Sequence, residues 1–215
     1  MFSSKLSQRS FRPGLMMESL EQRELLSTVT FTLNQSKSFA SLAGVTVALT
    51  PQAKNSLTAN YTGNIKADVT SNSIKFTGGS ASAVASGKWK PTPTKMTEYG
   101  AIIAGTIFTD LAGAALTISS TKALAVSSNG SFSSSGETFT ATAGTLNIAT
   151  ATSKLISQSL KGVSATNAAT SSSTLVKKNG ILTLTIKILA TLKVKLSGIT
   201  LPVKLTGQVV ATAKV

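Results

Sequence analysis

Between Ile181 and Leu196 every even position is apolar: Leu182, Leu184, Ile186, Ile188, Ala190, Leu192, Val194 and Leu196. The odd positions inside the run are Thr183, Thr185, Lys187, Leu189, Thr191, Lys193 and Lys195, and only Leu189 breaks the polar row. A period of two sends alternate side chains to opposite faces, so the run predicts an amphipathic strand with one buried face. A helix, with its 3.6-residue period, would fall out of step within a turn. At ~3.3 Å per residue the strand would span about 50 Å, so it must coil or bend, with Ala190 the candidate bend. Ser197 and Gly198 then turn the chain. The return strand places Ile199, Leu201, Val203, Leu205, Val209, Ala211, Ala213 and Val215 on one face, with Gly207 as the gap and a candidate bulge. The chain ends in a long antiparallel hairpin.

The same alternation recurs upstream. Val29, Phe31 and Leu33 predict a first strand, and Asn34 to Ser38 a turn. Val45, Val47 and Leu49 predict a second strand, stopped before Pro51. Leu57, Ala59 and Tyr61 predict a third, turned at Gly63-Asn64. Ile65, Ala67 and Val69 follow, then Ser71 to Ser73 as a turn, then Ile74 and Phe76 up to Gly78-Gly79. Ala101–Phe108 fits either a strand or one short helix plugging a barrel. Ala114, Leu116 and Ile118 run on as strand, as do Phe139, Ala141 and Ala143, then Leu146 and Ile148. Residues 150–174 are poor in bulky apolar side chains and predict thin, exposed strands and loops. A strand and a turn about every ten residues implies an all-β domain, a single antiparallel β-sandwich or β-barrel, over 28–215.

Composition narrows the chemistry. The 215 residues contain neither Cys nor His, which removes disulfides, thiol chemistry and the commonest general base and transition-metal ligand. The net charge is +14. Beyond Ser27 there are 17 lysines, no arginine, and four acids: Asp68, Glu98, Asp110 and Glu137. Lysines on strand faces keep sheet edges from pairing with one another. They also suit an acidic polysaccharide or another anionic envelope polymer. Specific nucleic-acid reading is not implied, because it leans on Arg forks and stacked aromatics. The four acids lie far apart in sequence, with no motif that would pair two carboxyls across a cleft. No nucleotide-binding loop is present and no cofactor or metal is implied. The expectation is a non-enzymatic protein.

Residues 1–27 differ in kind. Lys5, Arg9 and Arg12 precede a run of helix formers, and no unbroken apolar centre of secretory type is present. Arg12-Pro13 followed by Leu20-Glu21-Gln22-Arg23-Glu24-Leu25-Leu26-Ser27 resembles the N-terminal sorting signal of exported planctomycete proteins. In that family the motif reads Leu-Glu-Pro-Arg-x-Leu-Leu-Ser, and Gln22 stands where Pro is often found. The resemblance covers the leader only. It implies that Leu20, Glu21, Arg23, Leu25, Leu26 and Ser27 form a sorting signal, and that the protein is exported to the periplasm, cell surface or medium. The run Ser56 to Gly63, Phe76 to Ser80, Trp89-Lys90-Pro91 and Tyr99-Gly100 is similar to an uncharacterised group of secreted, β-rich bacterial proteins. That likeness implies secretion and a β fold.

One loop is chemically unusual. Gly87 to Lys95 holds the only Trp, two of the five prolines and three lysines. Trp89, flanked by Lys88 and Lys90 and followed by Tyr99, is a candidate for stacking on a sugar ring; equally, Trp89 fits as a plug at one end of the core. Three functional readings follow. The first is a structural protein of the surface or extracellular matrix, its lysines meeting anionic polymer. The second is a barrel carrying an apolar, lipid-like ligand. The third is an outer-membrane barrel with its apolar face outward, for which one Trp and two Tyr make poor aromatic girdles. No apolar run is long enough for a transmembrane helix.

Overall fold

The fold is seen in a computed structural model, which describes residues 27–43, 46–47, 50–51, 57–84, 87–88, 92–98, 101–150, 153–168, 172–196 and 199–215. Every regular element among them is a strand. In chain order these are β1 (Ser27–Leu33), β2 (Phe39–Ala43), β3 (Thr46–Val47), β4 (Thr50–Pro51), β5 (Leu57–Val69), β6 (Ser73–Ala83), β7 (Gly87–Lys88), β8 (Thr92–Glu98) and β9 (Ala101–Ser120). They continue as β10 (Leu124–Ala125), β11 (Ser131–Ser133), β12 (Glu137–Thr150), β13 (Ser153–Ser159), β14 (Ser164–Thr166), β15 (Ser172–Lys178), β16 (Ile181–Leu196) and β17 (Ile199–Lys214). Fifteen strands share one antiparallel sheet, whose path runs β11-β15-β16-β17-β1-β5-β6-β9-β12-β13. The ribbon β3-β4 stands apart from it.

The sheet curls until its two ends meet. At one place β14, paired to β12, reaches β16 through Asn167 and Ala168. At another, β10 pairs with β6, Val126 bridges Phe132, and β11 pairs with β15. There the rings of Phe76 and Phe132 pack with centroids 6.2 Å apart. The fold class is therefore the expected one, a single antiparallel all-β unit around one core. The core draws Phe31, Ile74, Phe76, Leu146, Leu184 and Ile186 from four strands, β1, β6, β12 and β16, each side chain essentially without exposed surface. Each such side chain contributes about 1.5–3 kcal/mol on burial.

The terminal hairpin is the backbone of this arrangement. β16 and β17 pair without a register shift from Ile181↔Lys214 to Leu196↔Ile199. Positions 182, 184, 186, 188, 190 and 192 are all buried, as the alternation requires. Leu189, on the opposite row, is half-buried. Ala190 does not break the ladder. Gly207 is not a bulge: it pairs with Ile188 on one side and Ala40 on the other. It is glycine because a Cβ there would run into the Phe39 carbonyl oxygen of β2. Val215 is 51% exposed, so the buried row of β17 ends at Ala213.

The expected turns are corrected, and of the two alternatives for Ala101–Phe108 the strand is the one observed. Gly63-Asn64 and Gly78-Gly79 are not chain turns; β5 and β6 run straight through them. At Gly63 and Gly79 the two backbones approach so closely that a Cβ on either would strike a carbonyl of the other strand, Ser80 and Asn64 respectively. Ala101–Phe108 is the first half of the 20-residue strand β9 and not a helical plug. An additional strand, β2, follows the turn at Asn34–Ser38. Among the described residues no helix is long and apolar enough to cross a membrane.

Candidate functional site

The inward row of the terminal hairpin fixes what its outer row must carry. On β16 that outer row includes Lys187, Leu189, Thr191 and Lys193; on β17 it includes Lys204, Thr206 and Gln208. Lys187 sits opposite Gln208 and donates from Nζ to its Oε1 at 2.7 Å. Gln208 in turn donates from Nε2 to the Lys37 carbonyl at 3.2 Å. Lys204 lies opposite Thr191, which makes it a diagonal neighbour of Lys193 at about 7–8 Å. Lys187 and Lys193, six residues apart, are separated by about 20 Å along the strand. The result is a stripe of ammonium groups interleaved with hydroxyls and an amide.

The wider surface has the same sign. Eleven lysines have described side chains. Only two acids do, Asp68 and Glu137. Asp68 accepts from Thr28 Oγ1 at 2.7 Å and stands opposite Lys75 in the β5-β6 ladder. Among the described residues no lysine is in an ion pair, so the lysine field is uncompensated there. Lysine is a compact, well-hydrated point charge, suited to flexible polyanions more than to planar bidentate recognition.

Glu137 is withdrawn from that surface altogether. It opens β12 on the same parity as the buried Phe139 and Ala141, and has no exposed surface. Burial pushes its carboxyl from an ordinary 4.5 up to about 8, while a hydrogen bond from Asn167 pulls the other way. Asn167 Nδ2 donates to Glu137 Oε2 at 3.1 Å, and Glu137 Oε1 has no partner. The same Asn167 amide closes the sheet. Its Nδ2 donates to the Lys187 carbonyl at 2.7 Å, and its Oδ1 accepts the Leu189 N–H at 2.9 Å. It thus serves β16 as a neighbouring peptide would. Ser173 Oγ accepts the Lys187 N–H at 3.0 Å and contacts Ser134 Oγ; both serines are fully buried. Among the described residues no second acid faces this buried carboxyl, and its one hydrogen bond ties it to Asn167. Among the described residues no three His, Cys, Asp or Glu side chains gather as metal ligands.

Two neighbouring voids share Ala40, Tyr61 and Leu116 in their walls, and each measures about 30 Å³. That is room for about one water apiece. Tyr61 is buried between them, and burial raises its phenol to about 12.

Of the residues singled out in the sequence, Lys88 lies in β7 and pairs with Asp110 of β9. Trp89, Lys90 and Tyr99 lie outside the described residues, as do Leu20, Glu21, Arg23, Leu25 and Leu26. Ser27 opens β1, paired with Val69. Asn167, Ser173 and Ser134 were not singled out, although Asn167 shares parity with Ala165 and Ser173 with Leu175. No family model, no curated protein and no solved structure matches the chain.

Proposed function

We propose that this is a non-enzymatic exported protein of the cell surface or extracellular matrix, held by its lysine face against an anionic polysaccharide or similar envelope polymer. The observation that carries the reading is the lysine field, uncompensated among the described residues, with the stripe Lys187, Lys193 and Lys204 on the outer face of the terminal hairpin. Export is supported by the resemblance of residues 20–27 to a sorting signal. Two voids described in the interior favour this reading over a carrier of an apolar ligand, since ligand pockets run to about 300–1,000 Å³ and these voids are about 30 Å³ each. The buried apolar row of β16 is also opposite to the outward apolar face of a membrane barrel.

The test is binding to a soluble anionic polysaccharide, such as polygalacturonate, across a salt series, with a neutral glucan as control. Affinity should fall steeply as salt rises. The combined substitution Lys187→Gln, Lys193→Gln, Lys204→Gln should weaken binding by about tenfold or more and flatten the salt dependence. Equal binding by the variant, or binding indifferent to salt, would contradict the proposal.

A further inference from the structure

β1 and β2 lie end to end between β17 and β5, as two halves of one strand. Leu33 pairs with Ala211 and Ala40 with Gly207, so the chain advances seven residues while β17 retreats four. The same surplus appears against β5, where Thr32 pairs with Asn64 and Phe39 with Asn60. Three residues are therefore extruded from an otherwise continuous strand, and the ladder is repaired around them. Ser38, fully buried, donates from Oγ to the Val210 carbonyl at 2.9 Å and accepts the Val210 N–H at 3.1 Å. The Ser38 carbonyl takes the Tyr61 N–H at 2.9 Å, and Asn34 N–H reaches the Val210 carbonyl at 2.8 Å. An interruption so fully compensated behaves as a built feature, like a strand bulge that re-aims its neighbours.

The extruded loop overhangs β5 and forms one wall of an open cleft of about 530 Å³. Asn34, Gln35 and Ser36 face Thr58 and Asn60 across it, with Val84 as a ledge that is 47% exposed. Asn60 Nδ2 donates to the Gln35 carbonyl at 3.0 Å and ties the two walls together. The Asn60 backbone carbonyl accepts the Val84 N–H at 2.8 Å, while the Gln35 side-chain amide and the Asn60 side-chain Oδ1 have no partner among the described residues.

We infer that this cleft binds an uncharged, hydroxyl-rich ligand: a neutral oligosaccharide. Its described walls hold amide and hydroxyl side chains and no charged one. An apolar ligand would strip water from the Gln35 amide and Asn60 Oδ1 without replacing their hydrogen bonds. A sugar supplies donors and acceptors together, and its C–H face suits the Val84 ledge. The open shape accepts a chain passing through. This site is distinct from the lysine stripe and does not depend on it.

The test is a titration of the full-length protein with neutral glucan, mannan and chitin hexamers, followed by backbone NMR at about 0.5 M NaCl, where the lysine face is screened. At least one hexamer should bind, shifting resonances of residues 34–36, 58–60 and 84. Gln35→Ala, which removes an exposed and unbonded amide, and Asn60→Ala should each weaken binding by about threefold to tenfold. Lys187→Gln should leave it unchanged. Absence of binding by every hexamer would overturn the assignment. So would shifts confined to other strands, or affinity that neither substitution lowers. Binding of charged glycans alone, lost in high salt, would return all recognition to the lysine face.

Discussion

Replacing Glu137 with glutamine removes an ionisable proton from the seam and keeps the acceptor that Asn167 needs. In the native protein the carboxyl has no exposed surface and one oxygen without a partner, and burial pushes it up to about 8 from 4.5. Its raised value means the folded state holds a proton that the unfolded chain releases. Stability from this group is full below about pH 4.5 and is lost as pH rises through about 8. At ~1.4 kcal/mol per unit the gap corresponds to about 5 kcal/mol, and relaxation with water entry brings the expected loss to about 2–5 kcal/mol. The charged group nearest through the backbone, Lys187, turns its Nζ outward to Gln208 and gives the carboxylate no ion pair. The chain has no His, so the pH 5–9 window carries few competing titrations; the terminal amine contributes equally to both proteins. Urea unfolding at steps across that window is the assay. Wild type should lose stability toward pH 9. Glu137→Gln should start lower by about 1–3 kcal/mol, because its new amide N–H lacks an acceptor, and then stay flat. Parallel pH profiles for the two proteins would refute the reasoning, and so would a wild type that gains stability with pH.

Other consequences follow from the same geometry. Ile186→Lys places a charge on the fully buried row of β16 and should abolish the cooperative unfolding transition at room temperature; a folded variant by circular dichroism would disprove the register. Asn167→Ala strands the Leu189 N–H, the Lys187 carbonyl and the Glu137 carboxyl, and should cost about 3–5 kcal/mol in urea. Its amide exchange should rise first at Leu189, where the seam opens. Removing residues 1–26, which precede β1, should leave the melting temperature unchanged within error; a large drop would mean that the leader docks on the domain.

The long hairpin was legible because eight successive even positions from Leu182 to Leu196 are all apolar, which leaves the burial pattern little freedom even with Leu189 on the opposite row. Gly63 and Gly79 were misread because glycine marks both turns and close backbone approach, and only pairing partners tell these apart. β2 escaped notice because Phe39, Ala40, Ser41, Leu42 and Ala43 offer small residues and no clean alternation. The seam was half visible. Glu137 falls on the parity of Phe139 and Ala141, so a buried carboxyl was implied by the pattern, but its partner Asn167 sits thirty residues away in a segment that reads as exposed loop. The lysine stripe follows directly from the polar beats of β16 and β17. The cleft does not, since a three-residue extrusion is defined by register against two strands distant in sequence.

The central claim is that this protein acts through its outer surface and not through a bound interior ligand. Native mass spectrometry with lipid extraction, on protein purified from its own source, tests that claim most directly. The account predicts the mass of the polypeptide alone, with no stoichiometric apolar molecule in the extract. A lipid-like ligand recovered at one per chain would contradict it and move the site into the interior of the sheet.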